Sequence, residues 1–161
     1  MEQENLDIDL ISLDSINILN AGIQNDTQLT TIEHSEYDIL FQFQLAPSVS
    51  VASRKIKVLA DFEIRVSKKN ADLVEISSHF VIAFLYTVKN LEELTISAED
   101  NFVTVDEELV SSLLNITYSS SRGIIYTRSL GTAMEGLILP VISTADLLHQ
   151  PASIRRISGT K

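Results

Sequence analysis

From Lys55 to Val66 the chain alternates apolar and polar residues almost without a break, and no other feature restricts the possible folds as much. Ile56, Val58, Ala60, Phe62, Ile64 and Val66 form one set; Lys55, Lys57, Asp61, Glu63 and Arg65 form the other, with Leu59 out of step. Successive side chains of a strand point to opposite faces, so this pattern predicts a strand with one buried and one wet face, as antiparallel sheets have. Tyr37 to Leu45 repeats it with Ile39, Phe41, Phe43 and Leu45. Leu73 to Val88 does so with Val74, Ile76, Phe80, Ile82, Phe84, Tyr86 and Val88. In its second half the other side turns apolar (Val81, Ala83, Leu85), which predicts cover on both faces. Leu6 to Leu19 alternates, slips near Leu13 and resumes at Ile16 and Ile18; a slip of phase implies a bulge. The polar run from Ser67 to Asp72 joins two long strands as a hairpin turn. Asn20 to Glu36 and Pro47 to Arg54 read as loops.

After Val88 the period changes. Thr104-Val-Asp-Glu107 has the form of a capping box that opens a helix. Leu109, Leu113, Ile116, Ser120 and Ile124 then recur at spacings of three and four, beside a second stripe of Val110, Leu114, Thr117 and Ser121. The helix is expected to reach about Arg128 and to end near Gly131. Leu130 to Ile142 is apolar but interrupted by Gly131, Gly136 and Pro140, so it is irregular. Ser143 or Thr144 caps a short helix through Leu148, which Pro151 stops. Four strands followed by two helices argue for an α+β fold, a four-stranded antiparallel sheet with both helices on one face. At 161 residues the chain makes one domain. An ordered core of about 6–150 is expected, with 152–161 as a poorly ordered, basic tail.

Composition excludes several function classes. There is no cysteine, hence no disulfide, zinc thiolate or thiol nucleophile. The acidic start lacks a signal peptide's apolar region, and no apolar run approaches a membrane span, so a cytoplasmic location without membrane insertion is expected. A net charge of −10 disfavours nucleic acid. Nine of the acids precede Arg54 with no base among them, so a basic partner or client is expected to bind in a salt-sensitive way. His34, His79 and His149 show no ligand spacing, and no nucleophile, phosphate-loop or metal motif is present. Neither catalysis, nor a cofactor, nor a metal is expected.

Two features ask for more than a core. The apolar segment Leu137 to Ile142 cannot be regular, so it either caps the chain's own core or serves as interface or binding surface. The long helix mixes apolar and small residues; Leu113, Ile116, Ser120 and Gly123 form a stripe that a second subunit could cover.

Residues in this region carry a family likeness. Ser121-Arg-Gly-Ile, then Leu130-Gly-Thr132 and Leu139-Pro-Val141 at their mutual separation, then Asp146-Leu-Leu148, resemble the C-terminal half of the SecB export chaperones. In that family a helix ends in a turn, an apolar loop follows and a second helix closes the chain. Val74 to Phe84 is similar to its fourth strand and Ile8 to Gly22 to its first. The resemblance spans roughly residues 6–150. It implies a SecB-like fold assembled as a dimer of dimers, a homotetramer with long helices between sheets. It also implies an ATP-independent holdase for unfolded polypeptides, working in export or, as SecB-like proteins also do, on an antitoxin. Glu75 stands at a family acid that docks the export motor ATPase, and Asp14 is adjacent to another such position. Elsewhere the sequence departs: Ser15 and Leu19 replace docking acids, the second helix is short, and the tail is basic.

Under this reading an apolar client groove is expected from Phe41 and Phe43 on one wall, Met134, Leu137, Leu139 and Val141 on the other, and Leu147 and Leu148 at one end. Phe41 and Phe43 fit the sheet's own core equally well.

Overall fold

The computed structural model describes residues 6–25, 28–33, 35–71, 73–97, 103–148 and 155–157. His34, His149 and Pro151 lie outside them. A 3-10 turn at Ile8–Leu10 leads into β1 (Ile11–Asn25). The elements β2 (Tyr37–Ser50), β3 (Lys55–Lys68), β4 (Val74–Val88), β5 (Thr95–Ser97) and β6 (Val103–Val105) follow. The chain continues through α1 (Glu107–Ser129), α2 (Thr144–Leu148) and β7 (Arg155–Ile157).

Strands β2, β3 and β4 form a meander, and β1 returns beside β4 to give the Greek-key order β1-β4-β3-β2, antiparallel throughout. The connection from β1 to β2 must therefore pass the β3–β4 turn. Lys69 ties it there, donating its amide to the Glu36 carbonyl at 2.8 Å and its ammonium to the Ser35 carbonyl at 2.6 Å. Asn70 supplies the left-handed residue of that turn (φ 62°).

Apart from Val74, which is exposed, the alternating sets lie where the sequence puts them. Ile56, Val58, Phe62, Ile64 and Val66 of β3 are buried beside Ile39, Phe41, Phe43 and Leu45 of β2 and Ile76, Phe80, Ile82, Phe84 and Tyr86 of β4. Helix α1 packs on this face over β3 and its neighbours β2 and β4. Tyr118 sits at the centre, its ring 5.4 Å from Phe43 and 6.1 Å from Phe62. The Tyr86 hydroxyl shares a buried 2.8 Å hydrogen bond with Thr117, so a polar tip is accommodated under the helix.

The structure corrects several sequence expectations. Strand β1 runs on to Asn25, because a second bulge between Ile18 and Asn20 shifts the alternation and disguises the continuation. Strand β2 continues through Pro47 to Ser50; on an edge strand proline forfeits no ladder bond that a neighbour needs. Thr104 belongs to β6, paired with Ile96, and the helix is capped instead by Asp106, whose carboxylate accepts the Leu109 amide at 3.0 Å. Between Gly131 and Ser143 the chain is fastened to α1 by Tyr118, which donates to the Pro140 carbonyl at 2.8 Å, and by Arg122, which donates to the Leu139 carbonyl at 2.9 Å. Of the tail 152–161 only Arg155–Ile157 lies within the described residues; it forms β7, three residues antiparallel to β2 at the edge of the four-stranded sheet.

Held this way, the segment alternates in depth: Leu137 and Leu139 are buried, while Ile138 and Val141 are exposed. Leu139→Ala should therefore destabilise by about 2–5 kcal/mol, as core truncations do. Val141→Ala should stay within about 0.5 kcal/mol. Urea unfolding of the two variants checks this, and equal costs would contradict the placement.

Candidate functional site

Most of the expected groove is core. Phe41, Phe43, Met134, Leu137, Leu139 and Leu147 are all buried. The reason is geometric for Phe41 and Phe43: their face of β2 is the face under α1, where they stack on each other at 5.4 Å and against Phe62. For the loop residues the reason is the pair of side-chain bonds from α1 that draws the chain inward. Val141 is 80% exposed, far from serving as the wall of a cleft.

An apolar groove exists one step further along β2. Its first part, about 240 Å³, lies between the end of the β2–β3 hairpin, β6 and the start of α1, and is lined only by Pro and aliphatic side chains. Val49 and Ile56 floor it, Val103 and Val105 of β6 form one side, and Val110 and Leu114 the other. Its second part, about 250 Å³, continues between β2 and α2, with Gln44 and Leu45 opposite Leu147 and Leu148. Pro47, Val110 and Leu114 line both parts, so the two adjoin. Of the expected residues, Leu147 and Leu148 close its α2 end. The sequence did carry a signal for the rest. Val103-Thr-Val105 alternates just before the helix cap, but three residues are too few to separate a strand from a helix approach. None of the lining side chains is titratable.

The expected helix interface divides. Leu113 faces the sheet and is buried, because it falls on the stripe that covers β3. Ile116 is exposed, Ser120 is half-buried, and nothing lies within 4 Å of a Cβ added at Gly123. With Tyr126 and Leu130, also exposed, these residues form an open outer face. A second open apolar area lies on β1, whose Leu13, Ile16 and Ile18 pair with Tyr86, Phe84 and Ile82, hence share the helix face, yet remain exposed.

The two expected docking acids do not form one surface. Asp14 hydrogen-bonds Thr87 at 2.7 Å, near the end of β4, whereas Glu75 stands near its beginning. At ~3.3 Å per residue they are roughly 40 Å apart along the strand. Glu75 is half-buried near Tyr37; burial, then this carboxylate, hold the phenol above its ordinary value. Asp14 is engaged by Lys55 and Thr87, and hydrogen bonds from these two, Lys55 first, lower its pKa. On the same outer face His79 bridges Asp61 at 2.9 Å and Asn20 at 3.1 Å, a polar row across β3, β4 and β1. Among the described residues no three His, Asp or Glu side chains gather as a metal site, and no helix is long and apolar enough to cross a membrane.

No protein-family model matches the sequence, and no curated protein does. Among solved structures, the chain is similar to the Mycobacterium tuberculosis Rv1957 SecB-like chaperone in complex with a ChAD peptide from the Rv1956 HigA1 antitoxin. The TM-score is 0.56 at 14% identity, over 83% of this chain and 92% of that one. At that identity the likeness is one of fold, and the chain has the SecB-like fold: an antiparallel sheet under one long and one short helix.

The Asp14 ion pair gives a pH prediction. A lowered carboxylate pKa contributes stability above the ordinary 3.8, and this is lost as pH falls through the lowered folded value. Asp14→Asn should be less stable than the parent at pH 7, and the two unfolding midpoints should converge below pH 3.8. A gap that persists in strong acid would show that the substitution acts through something other than charge.

Proposed function

We propose that this chain is a SecB-like chaperone, a holdase that takes non-native polypeptide into the groove between β2, β6, α1 and α2. The observation that carries this reading is the groove itself: two adjoining clefts, lined by aliphatic side chains and Gln44 and built on regular elements. Monomeric surfaces seldom leave such a lining uncovered unless something binds there. At ~25 cal/mol per Å² of apolar surface, a few inserted client side chains offset only modestly the cost of ordering an unfolded segment. Binding of that kind is reversible without ATP. The edge of β2 runs alongside the groove, so an extended client can add backbone hydrogen bonds to it while its side chains enter the cleft.

Self-assembly belongs to the same reading. The outer face of α1 and the uncovered helix-side residues of β1 are surfaces that further copies would bury, and a dimer of dimers would present several grooves to one client. A second reading is that one antitoxin is the dedicated client; it draws on the solved neighbour's peptide and differs in having one preferred client instead of many. Export through a motor ATPase draws no support from the separated Asp14 and Glu75.

Val110→Thr tests the groove. Threonine keeps the shape of valine but sets a hydroxyl where the two parts of the groove meet, at a half-buried helical site. Burying that hydroxyl under a client should cost ~1–2 kcal/mol, about five- to thirtyfold in affinity. The melting temperature should change little. Undiminished suppression of aggregation of an unfolded test protein would move the binding site elsewhere.

A further inference from the structure

Three side chains of α1 fasten the chain that follows it. Arg122 and Tyr118 donate to the carbonyls of Leu139 and Pro140, and Asn115 donates its amide to the Thr144 hydroxyl at 3.1 Å. Their spacing of three and four puts them on one face of the helix, beside the stripe of Val110 and Leu114 that lines the groove. The three bonds hold different things. Leu139 and its near neighbour Leu137 are buried, so the bonds from Arg122 and Tyr118 secure a piece of the core. Thr144 opens α2, whose Leu147 and Leu148 stand opposite Gln44 and Leu45 across the second part of the groove.

We propose that Asn115 is a positioning residue for client binding, its bond to Thr144 setting the α2 wall of the groove. This rests on the polypeptide-binding reading above. A helix of five residues has little stability of its own, so α2 stands where its attachments put it. Leu147, near its end, is buried, but apolar burial is non-directional and leaves the helix free to turn about that point. The Asn115–Thr144 bond is directional and lies at the other end of α2, so the two attachments together fix the side on which Leu148 stands. Capping of α2 falls to Ser143, whose hydroxyl accepts the Asp146 amide at 3.2 Å and whose carbonyl accepts the Leu147 amide at 3.1 Å. The Thr144 hydroxyl is therefore not spent on the helix itself. Asn115 is half-buried and Thr144 exposed, so loss of their bond leaves no deeply buried polar group unpaired and should spare the fold.

Fluorescence anisotropy of a labelled, unstructured peptide of alternating leucine and serine, titrated with the full chain, tests this. Thr144→Val keeps the shape of the side chain and removes the hydroxyl. Losing one net hydrogen bond from the wall should weaken binding about fivefold, with little change in melting temperature. Asn115→Ala should do the same, and the two substitutions together should cost no more than either alone. Thr144→Ser keeps the hydroxyl and should bind as the parent does. The loss should also be local to the α2 part of the groove. With Leu148→Ser already in place, Thr144→Val should add nothing, whereas with Val103→Ser in the first part it should still cost the same factor. Parental affinity in Thr144→Val and Asn115→Ala, an equal loss in Thr144→Ser, or an added loss on the Leu148→Ser background overturns the positioning role and leaves polypeptide binding intact. No binding by the parent chain removes the polypeptide-binding reading and the positioning role with it.

Discussion

One helix cannot cover this sheet, and the other functional surfaces follow from that mismatch. A helix with its side chains is about 10 Å across, while the strands from β1 to β2 span three intervals of ~4.8 Å. Helix α1 lies over β3 and reaches β2 and β4, anchored where Tyr118 meets Phe43 and Phe62. On the β1 side nothing among the described residues continues the cover, and Leu13, Ile16 and Ile18 stay exposed on the helix face. On the β2 side the segment after α1 is drawn in by Tyr118 and Arg122 and packs Leu137 and Leu139 against the core. It leaves a gap between α1, α2 and β6, and that gap is the groove.

The two faces of the sheet also divide their chemistry. The outer face carries polar and charged groups, with Asp14, Lys55 and Thr87 at one end and Asp61, His79 and Asn20 across the middle. Glu75 lies apart, near Tyr37. The groove on the helix face has no titratable lining. Under the proposed function, recognition there would work through apolar area and, along the β2 edge, through backbone groups, both indifferent to the identity of most client side chains.

Much of this was legible in the sequence, for a physical reason: period-two alternation in Lys55 to Val66 has one solution, a half-buried strand. The slip near Leu13 likewise matched an observed bulge. Legibility ended where two structures share one pattern. Phe41 and Phe43 alternate identically whether they line a groove or a core, and only the position of α1 decides. Leu137 and Leu139 alternate with Ile138 because the helix holds the Leu139 and Pro140 carbonyls, which no local signal encodes. A second bulge cancelled the phase of β1 and made its last residues look like loop. Strands β6 and β7 are three residues each, too short for periodicity to register, and β6 lines the groove. The site was therefore less readable than the fold, since it is built from the ends of elements.

The central claim is that non-native polypeptide lies along β2 beside α1. Hydrogen exchange of the full chain, with and without a reduced and carboxymethylated test protein that stays unfolded, tests it most directly. The account predicts added protection at backbone amides of Gln44 to Ser50 and in the first turns of α1, with β1 unchanged. Protection confined to β1 or to the outer face of the sheet, or none anywhere, would contradict it.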